Sequence, residues 1–528
     1  MIAVLGLDGL DPDWVERLAA EGRLPNLTAL RREGLSGRLR SSFPPVSLPA
    51  WSTFLTGVGP GHHGLFDFTR LVDGRVEFQN AAHRGVPTIL ELLDAAGRRC
   101  CSLGVPTTYP VPPLALGAAL AGFDSPFAGR PDARAMHPAE LWRRLSAEGL
   151  DLRTSSLPEG RKHRGWHARA AREIGASISR RTEQAIRVMK EGDWDLLLVH
   201  FQAADTAGHH FMRYAVDASE RYDPTHPDRA RVLPDVYAAL DDAVGKIFDA
   251  CPDLSLRLVL SDHGMGSASR CVIHLNRWLE QEGFLVRRGG LRRRAVRTLR
   301  NAAVRHLPRE LQARLFRAFR GGLAASLESS FRLGDVDLER SAAFSEESST
   351  LPGIWLLDPT ARDSLLRRLR AWDAVVRAWR RDDRYRGPLR RRAPDILLEL
   401  AHSSVKTPPD YRDPAIRRLG DAELDGERGA GLNGVHRPEG VLLAAGIEVK
   451  GPQILNDAWI GDLAPSLLAA LDVPVPGWME GRALDALPGV PRFCDAPAPP
   501  EGPQLEGGLS RDEAARVERR LRALGYLG

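Results

Sequence analysis

Four short apolar runs along the chain end abruptly in polar residues. Ile2–Leu7 is followed by Asp8, Asp195–Phe201 comes shortly before Asp205, Leu256–Leu260 precedes Asp262, and Gly440–Ala445 follows His436. Continuous apolar runs of this kind predict strands buried on both faces, as in a parallel sheet flanked by helices. Between them, Asp13–Glu33 places Trp14, Leu18, Leu27 and Leu30 at helical spacing, broken at Gly22 and Pro25. Thr182–Lys190 and Asp235–Ala250 read the same way. Strands alternating with helices predict an α/β domain whose site gathers at the carboxyl ends of the strands.

From about His274 to Arg392 the pattern changes. Arg-rich stretches at Arg292–Phe319 and Arg362–Arg381 read as helices, and a buried-strand pattern returns only at Asp395–Leu400. The expected organisation is a core over 1–275 and 393–490, with an inserted helical cap at 276–392. Residues 491–528 form a tail: Cys494–Gly508 is a Pro/Gly-rich linker. A last helix follows from Ser510, with Glu513 completing a capping box and Val517, Leu521 and Leu524 on one face.

Composition narrows the class. The 528 residues are 43% hydrophobic, which excludes a chain disordered throughout. No apolar run approaches the roughly 18–20 residues of a membrane-spanning helix; the longest, Leu114–Phe123, is broken by glycines. The start of the chain lacks the pattern of a secretory leader, and Ile2–Leu7 reads as a strand, so a cytoplasmic location is expected. Five cysteines without metal-finger spacing are expected to be reduced thiols.

Net charge is +5, but between Arg287 and Arg320 twelve arginines meet one acid, Glu310. The whole chain has 68 arginines and only five lysines, so the choice of Arg over Lys carries little information while the clustering does. Val296, Leu299, Ala303 and Leu307 form one apolar stripe there, and Leu311, Leu315 and Phe319 another. A pair of amphipathic helices is expected, with the arginines in water. The sharper expectation is a basic surface that draws in polyanionic substrates or docks on anionic lipid. No specific nucleic-acid motif is present.

The candidate chemistry lies at the strand ends: Asp8, Asp205 with His209, Asp262 with His263, and His436. Asp205 and His209, four residues apart, share one helical face. Mixed carboxylate and imidazole donors suit zinc or manganese better than calcium or magnesium. Singly, each motif is commonplace, since strand-end Asp often caps a helix and Asp-His-Gly is often a turn. Together they are not: Asp8 and Asp262 would be buried carboxylates in need of compensation, which a metal supplies. Ser47 stands in a proline-rich turn at a helix start, before Thr56-Gly57 and His62-His63-Gly64. Such a serine is a poor nucleophile until a base or metal activates it.

In this order, Asp8, the Ser47 segment with Thr56-Gly57 and His63-Gly64, Asp205-x-x-x-His209, Asp262-His263 and His436 resemble the alkaline phosphatase superfamily. The similarity is to its type I phosphodiesterase/nucleotide pyrophosphatase branch and related bacterial phosphohydrolases. It covers about 1–275 and 393–490 and implies a three-layer sandwich, a mostly parallel sheet with helices on both faces. It also implies two divalent metal ions, zinc or alternatively manganese. Asp205, His209 and His436 would hold one ion, and Asp8, Asp262 and His263 the other. Ser47 would bridge toward both as the nucleophile of a phosphoseryl intermediate. The implied substrate is a small phosphoric ester: a phosphodiester, a pyrophosphate or a monoester.

This chain departs from the branch in two places. Ser47 replaces its usual Thr, and Phe68, preceded by Asp67, stands where an Asn holds a phosphoryl oxygen. The chain does not match the sulfatase modification motif, since Trp51 stands where it needs Arg, and the Ser-Glu-Val-Gly-His segment of cofactor-independent phosphoglycerate mutases is absent. His62 and His63 read either as substrate contacts or as loop residues beside the nucleophile, His210 as a bystander, and His200 as a packed neighbour of the site. Two other readings compete: a phosphotransferase or mutase of the same superfamily, and a non-enzymatic metal-stabilised protein on membrane surfaces.

Overall fold

The computed structural model describes residues 1–72, 75–127, 131–154, 157, 165–287, 336–346, 350–401, 414–424, 432–449, 451–496 and 508–524. A nine-stranded sheet forms the centre. Its order is Gln453–Trp459, Leu35–Arg40, Glu439–Gly446, Leu256–Leu260, Ile2–Leu7, Leu196–Phe201, Cys100–Leu103, Ala118–Leu120 and Met136–His137. The middle strands are parallel: Ile2–Leu7 pairs with Leu196–Phe201 on one side and Leu256–Leu260 on the other.

Every residue of Ile2–Leu7 and Leu196–Phe201 is buried. Period-two geometry divides these runs between two cores. Ala3, Leu5, Leu7, Leu197, Val199 and Phe201 face a core that includes Ile174, Ile178 and Ala185 of helix Trp166–Met189 and Leu240 and Val244 of helix Val232–Asp249. Ile2, Val4, Leu196 and Leu198 face the opposite core, with Phe54 of helix Ser47–Thr56 and Leu467 of helix Leu463–Ala470. Two apolar faces per strand explain why these runs show no alternation, and they yield three layers. Burying each aliphatic side chain contributes about 1.5–3 kcal/mol over leaving it exposed.

The expected break in the first helical stretch is present, with helices Pro12–Ala20 and Pro25–Glu33 flanking Gly22. Three expectations change. Glu439–Gly446, the run after His436, runs antiparallel to both Leu256–Leu260 and Leu35–Arg40. Strand direction leaves no mark on side-chain periodicity, so the run itself could not reveal it. Arg362–Arg381 is a helix only to Arg370, and Val375–Arg380 is a strand. Long Arg stems on a short edge mimic a helical face there. Ile396–Leu400 does not rejoin the central sheet. It lies in a separate antiparallel sheet between Gly353–Leu356 and Val375–Arg380, and Ala343–Phe344 pairs with the other side of Gly353–Leu356. This small sheet has its own core of Trp278, Leu279, Ile354, Leu365, Leu369 and Leu398. The Arg287–Arg320 cluster beyond Arg287 lies outside the described residues, as does 497–507 of the expected linker. All five cysteines are free. Among the described residues no helix is long and apolar enough to cross a membrane.

The last helix, Arg511–Leu524, starts as expected. Ser510 N donates to Glu513 (2.8 Å) and Glu513 N to Ser510 Oγ (3.3 Å), with Val517, Leu521 and Leu524 buried. It docks on the core through Arg520, which donates to the carbonyls of Phe123 and Ser125, and through the Ala523 carbonyl, which accepts from His210 Nε2 at 2.9 Å. Between those carbonyls lies Asp124, buried, with Oδ2 accepting from Thr107 N at 3.0 Å and Oδ1 without a donor. Burial outweighs that bond and raises its carboxyl from 3.8 to about 6.

Such a group binds its proton more tightly in the folded state. Its destabilising effect is absent below pH 4, grows as pH rises from 4 to 6, and is constant above that. Over that window stability should fall by up to about 3 kcal/mol. Asp124→Asn should therefore be more stable than the parent at pH 7, with the gap closing toward pH 4 in denaturant melts. A gap independent of pH would contradict this origin.

Candidate active site

Each candidate side chain comes to one edge of the central sheet by local rules. Asp8 follows its strand directly, and Asp262 and His263 follow Leu256–Leu260. Asp205 and His209 lie one turn apart on helix Ala203–Ala215, which begins as Leu196–Phe201 ends. His436 lies on Gly434–Arg437, paired with Gly264–Ser267, and precedes its sheet strand instead of following it. The antiparallel direction of Glu439–Gly446 resolves this difference, because the start of an antiparallel strand lies at the carboxyl ends of its parallel neighbours. Gly9 makes the close approach possible. It has φ +70, and a Cβ there would lie 2.7 Å from the Asp205 backbone.

Ser47 is the first residue of helix Ser47–Thr56, fully buried, with no side chain capping the helix start. The positive end of the helix dipole therefore lies at Ser47, favouring an anionic group there. Ser47 Oγ is 3.2 Å from Asp8 Oδ1 and 3.2 Å from His263 Nε2. His263 Nε2 in turn is 3.5 Å from Asp8 Oδ1 and 3.3 Å from Asp262 Oδ2. A second cluster lies alongside. His209 Nε2, His436 Nε2 and Asp205 Oδ1 form a triangle with sides of 3.0, 3.3 and 3.2 Å. The clusters adjoin: His263 and His436 stack at 3.8 Å, and Asp205, His263 and His436 also offer ligand atoms within 4.8 Å of one another.

The imidazole tautomers follow from the other ring nitrogens. Nδ1 of His209 faces the Gly434 carbonyl at 2.9 Å, Nδ1 of His436 the Pro45 carbonyl at 2.9 Å, and Nδ1 of His263 the Gly264 carbonyl at 3.1 Å. A carbonyl only accepts, so each Nδ1 carries a proton, and in its neutral form each ring turns the Nε2 lone pair into the site. Those lone pairs face carboxylate oxygens. Both oxygens of Asp205 and Oδ2 of Asp262 are buried with no hydrogen-bond donor.

Lone pair against lone pair at these distances is repulsive unless a proton or a metal cation lies between. Four ligands at about 2.0–2.1 Å in a tetrahedron are about 3.3–3.4 Å apart, close to the measured separations. The donors fall into two groups that could each hold a divalent ion: Asp205, His209 and His436 in one, and Asp8, Asp262, His263 and Ser47 Oγ in the other.

The electrostatics of the side chains themselves agree. Burial pushes Asp262 well above the usual carboxylate range, and the charges of Asp8 and Asp205 push it further. Burial would also raise Asp205, but His209 and His436 hold it well below that range. His209 is raised, Asp205 overcoming the effect of burial, and His263 falls to about 4 through burial and then His436. Asp262 and His209 thus attract protons where a metal would supply positive charge, so proton and metal should compete.

The other histidines divide. His63 is buried: its Nδ1 accepts from Leu65 N at 3.2 Å, and its Nε2 meets Thr53 Oγ1 at 3.1 Å, binding the loop to helix Ser47–Thr56. Burial, then Arg84 and His62, lower it to about 3. His62 Nδ1 lies 3.4 Å from Glu480. His200 lies within hydrogen-bond distance of Asp8. Asp67, beside the position of the missing Asn, is bound instead to the small sheet's approach, accepting from Thr350 N (2.6 Å), the Thr350 hydroxyl and Phe68 N (2.7 Å). Trp51 was not legible as a site residue. Its indole donates to Asp8 Oδ2 at 3.1 Å, and its i+4 spacing from Ser47 on one helix was the available signal.

A model of the type I phosphodiesterase/nucleotide pyrophosphatase family matches residues 2–415, which include every candidate except His436. Among solved structures, phosphonoacetate hydrolase from Sinorhizobium meliloti 1021 in complex with phosphonoacetate is 15% identical. It has a TM-score of 0.54, over 88% of this chain and 94% of that one. Murine ectonucleotide pyrophosphatase/phosphodiesterase 5 is 13% identical with a TM-score of 0.49, over 93% and 97%. No curated protein matches the sequence.

Proposed function

This chain belongs to the type I phosphodiesterase/nucleotide pyrophosphatase family of the alkaline phosphatase superfamily and is a phosphoric ester hydrolase, and we propose that it acts through Ser47 with two divalent metal ions. The observation that carries this reading is the convergence of three Nε2 lone pairs on buried carboxylate oxygens lacking donors, beside the Ser47 hydroxyl. Zinc suits the mixed nitrogen and oxygen donors best, with manganese the alternative. The free cysteines suit a reducing, cytoplasmic setting.

Bound there, the ions would lower the pKa of the Ser47 hydroxyl and offset the charge that gathers on a phosphoryl group. The protein supplies the rest. The helix start orients Ser47 Oγ 3.2 Å from Asp8 Oδ1 and His263 Nε2, and with those atoms turned to the ion the hydroxyl proton passes to solvent. Attack of Oγ on phosphorus displaces the alcohol in line and leaves a phosphoseryl ester, which water then hydrolyses. The carbonyls of Gly434, Pro45 and Gly264 keep the three imidazoles turned inward throughout.

Purified protein of known metal content should turn over aryl phosphate mono- or diesters, lose activity to a chelator and regain it with zinc or manganese. Chelator-resistant turnover would sink the proposal. An added alcohol that captures most of the phosphoryl group would indicate a transferase instead.

A further inference from the structure

The two oxygens of Asp8 have different surroundings. Oδ1 faces Ser47 Oγ and His263 Nε2. Oδ2 faces Trp51 Nε1, which donates at 3.1 Å, and His200 Nε2 at 2.9 Å. A carboxylate only accepts, so His200 must present an N–H, and two donors then occupy Oδ2. All three side chains are buried. The two rings meet edge to face with centroids 4.9 Å apart.

The space for this arrangement is built into the first strand. A Cβ at Gly6 would lie 2.3 Å from the Trp51 ring, so only glycine there admits the indole over the strand. Trp51 is also four residues beyond Ser47 on the same helix. One rigid element thus carries both the nucleophile and a donor that fixes the carboxylate beside it.

We propose that Trp51 and His200 are positioning residues for cation binding: by occupying Asp8 Oδ2 they leave Oδ1 as a single, fixed donor beside Ser47. This rests on the two-cation reading above. Without the two donors the carboxylate is free to turn and offer both oxygens, taking up the position that Ser47 Oγ fills. Outer partners of this kind typically change metal affinity about 10–100-fold.

The test is zinc binding to the full chain, measured by competition with a chromophoric chelator. The parent should bind two zinc ions. Trp51→Phe keeps the ring and removes only the N–H; it should weaken one ion by about 10–100-fold and leave the other at parental affinity. His200→Leu should do the same, whereas His200→Gln, which retains a donor, should recover most of the loss. The metal-free variants should melt close to the metal-free parent. If Trp51→Phe does not fold, the two His200 variants make the same comparison. Parental affinity at both ions in Trp51→Phe and His200→Leu would overturn the proposal, as would equal weakening of both ions with a lower metal-free melting temperature. A parent that binds no zinc or manganese would instead refute the two-cation reading itself.

Discussion

Ser47→Ala should lower turnover of a phosphoric ester by about 10⁴-fold or more while the protein still binds close to two metal ions. The Ser47 hydroxyl lies 3.2 Å from both Asp8 Oδ1 and His263 Nε2, and removing it leaves Asp8, Asp262 and His263 in place. Residues that act as one unit fail together, so the loss should approach that of the whole constellation. Ser47→Thr keeps a hydroxyl at the helix start and restores the residue usual in this branch, so it should retain measurable activity. Near-parental rates in Ser47→Ala, with metal content unchanged, would remove Ser47 from the chemistry.

Asp262→Asn should reverse the order of stability between the metal-free and metal-loaded protein. Without metal, Asp262 is a buried carboxylate among Asp8 and Asp205, and its pKa is raised well above 3.8 by burial first and then by those charges. The folded state therefore favours the protonated form. The destabilising effect is absent at low pH and grows as pH rises above the unfolded-state value toward the raised one. The amide removes that effect, so the metal-free variant should melt above the metal-free parent at neutral pH. With metal the parent should win. A cation that binds only the folded state adds about 4 kcal/mol at a thousandfold excess over its Kd, and the variant forfeits one carboxylate ligand. Thermal melts with chelator and with excess zinc at pH 7 would show the crossing; an unchanged order in the two conditions would count against Asp262 as a metal ligand.

Local rules made much of this legible. Ile2–Leu7 and Leu196–Phe201 could be read as doubly buried strands because each side of a parallel strand must meet an apolar layer. Asp205 and His209 could be placed on one face because helix geometry is local, and the capping box at Ser510 is legible for the same reason. Donor identities at strand ends pointed to cations before any distance was known.

Tertiary structure decided whatever depends on strand direction, partner choice or orientation across long separations. Glu439–Gly446 is antiparallel, which turns His436 from a residue before a strand into one that meets His209, 227 positions earlier in the chain, at 3.0 Å. Ile396–Leu400 carries a core-like pattern but pairs with Val375–Arg380, because an apolar strand is equally at home in either sheet. The carbonyls that set the three histidine tautomers are backbone atoms, present at every residue, and no side-chain pattern announces them. His200 reads as a packed neighbour of the site and Trp51 as a residue of the Ser47 helix, but only the fold lays both against Asp8 Oδ2. The donors are thus written in residue types and local spacing, whereas their aim comes from contacts between distant segments, which only folding brings together.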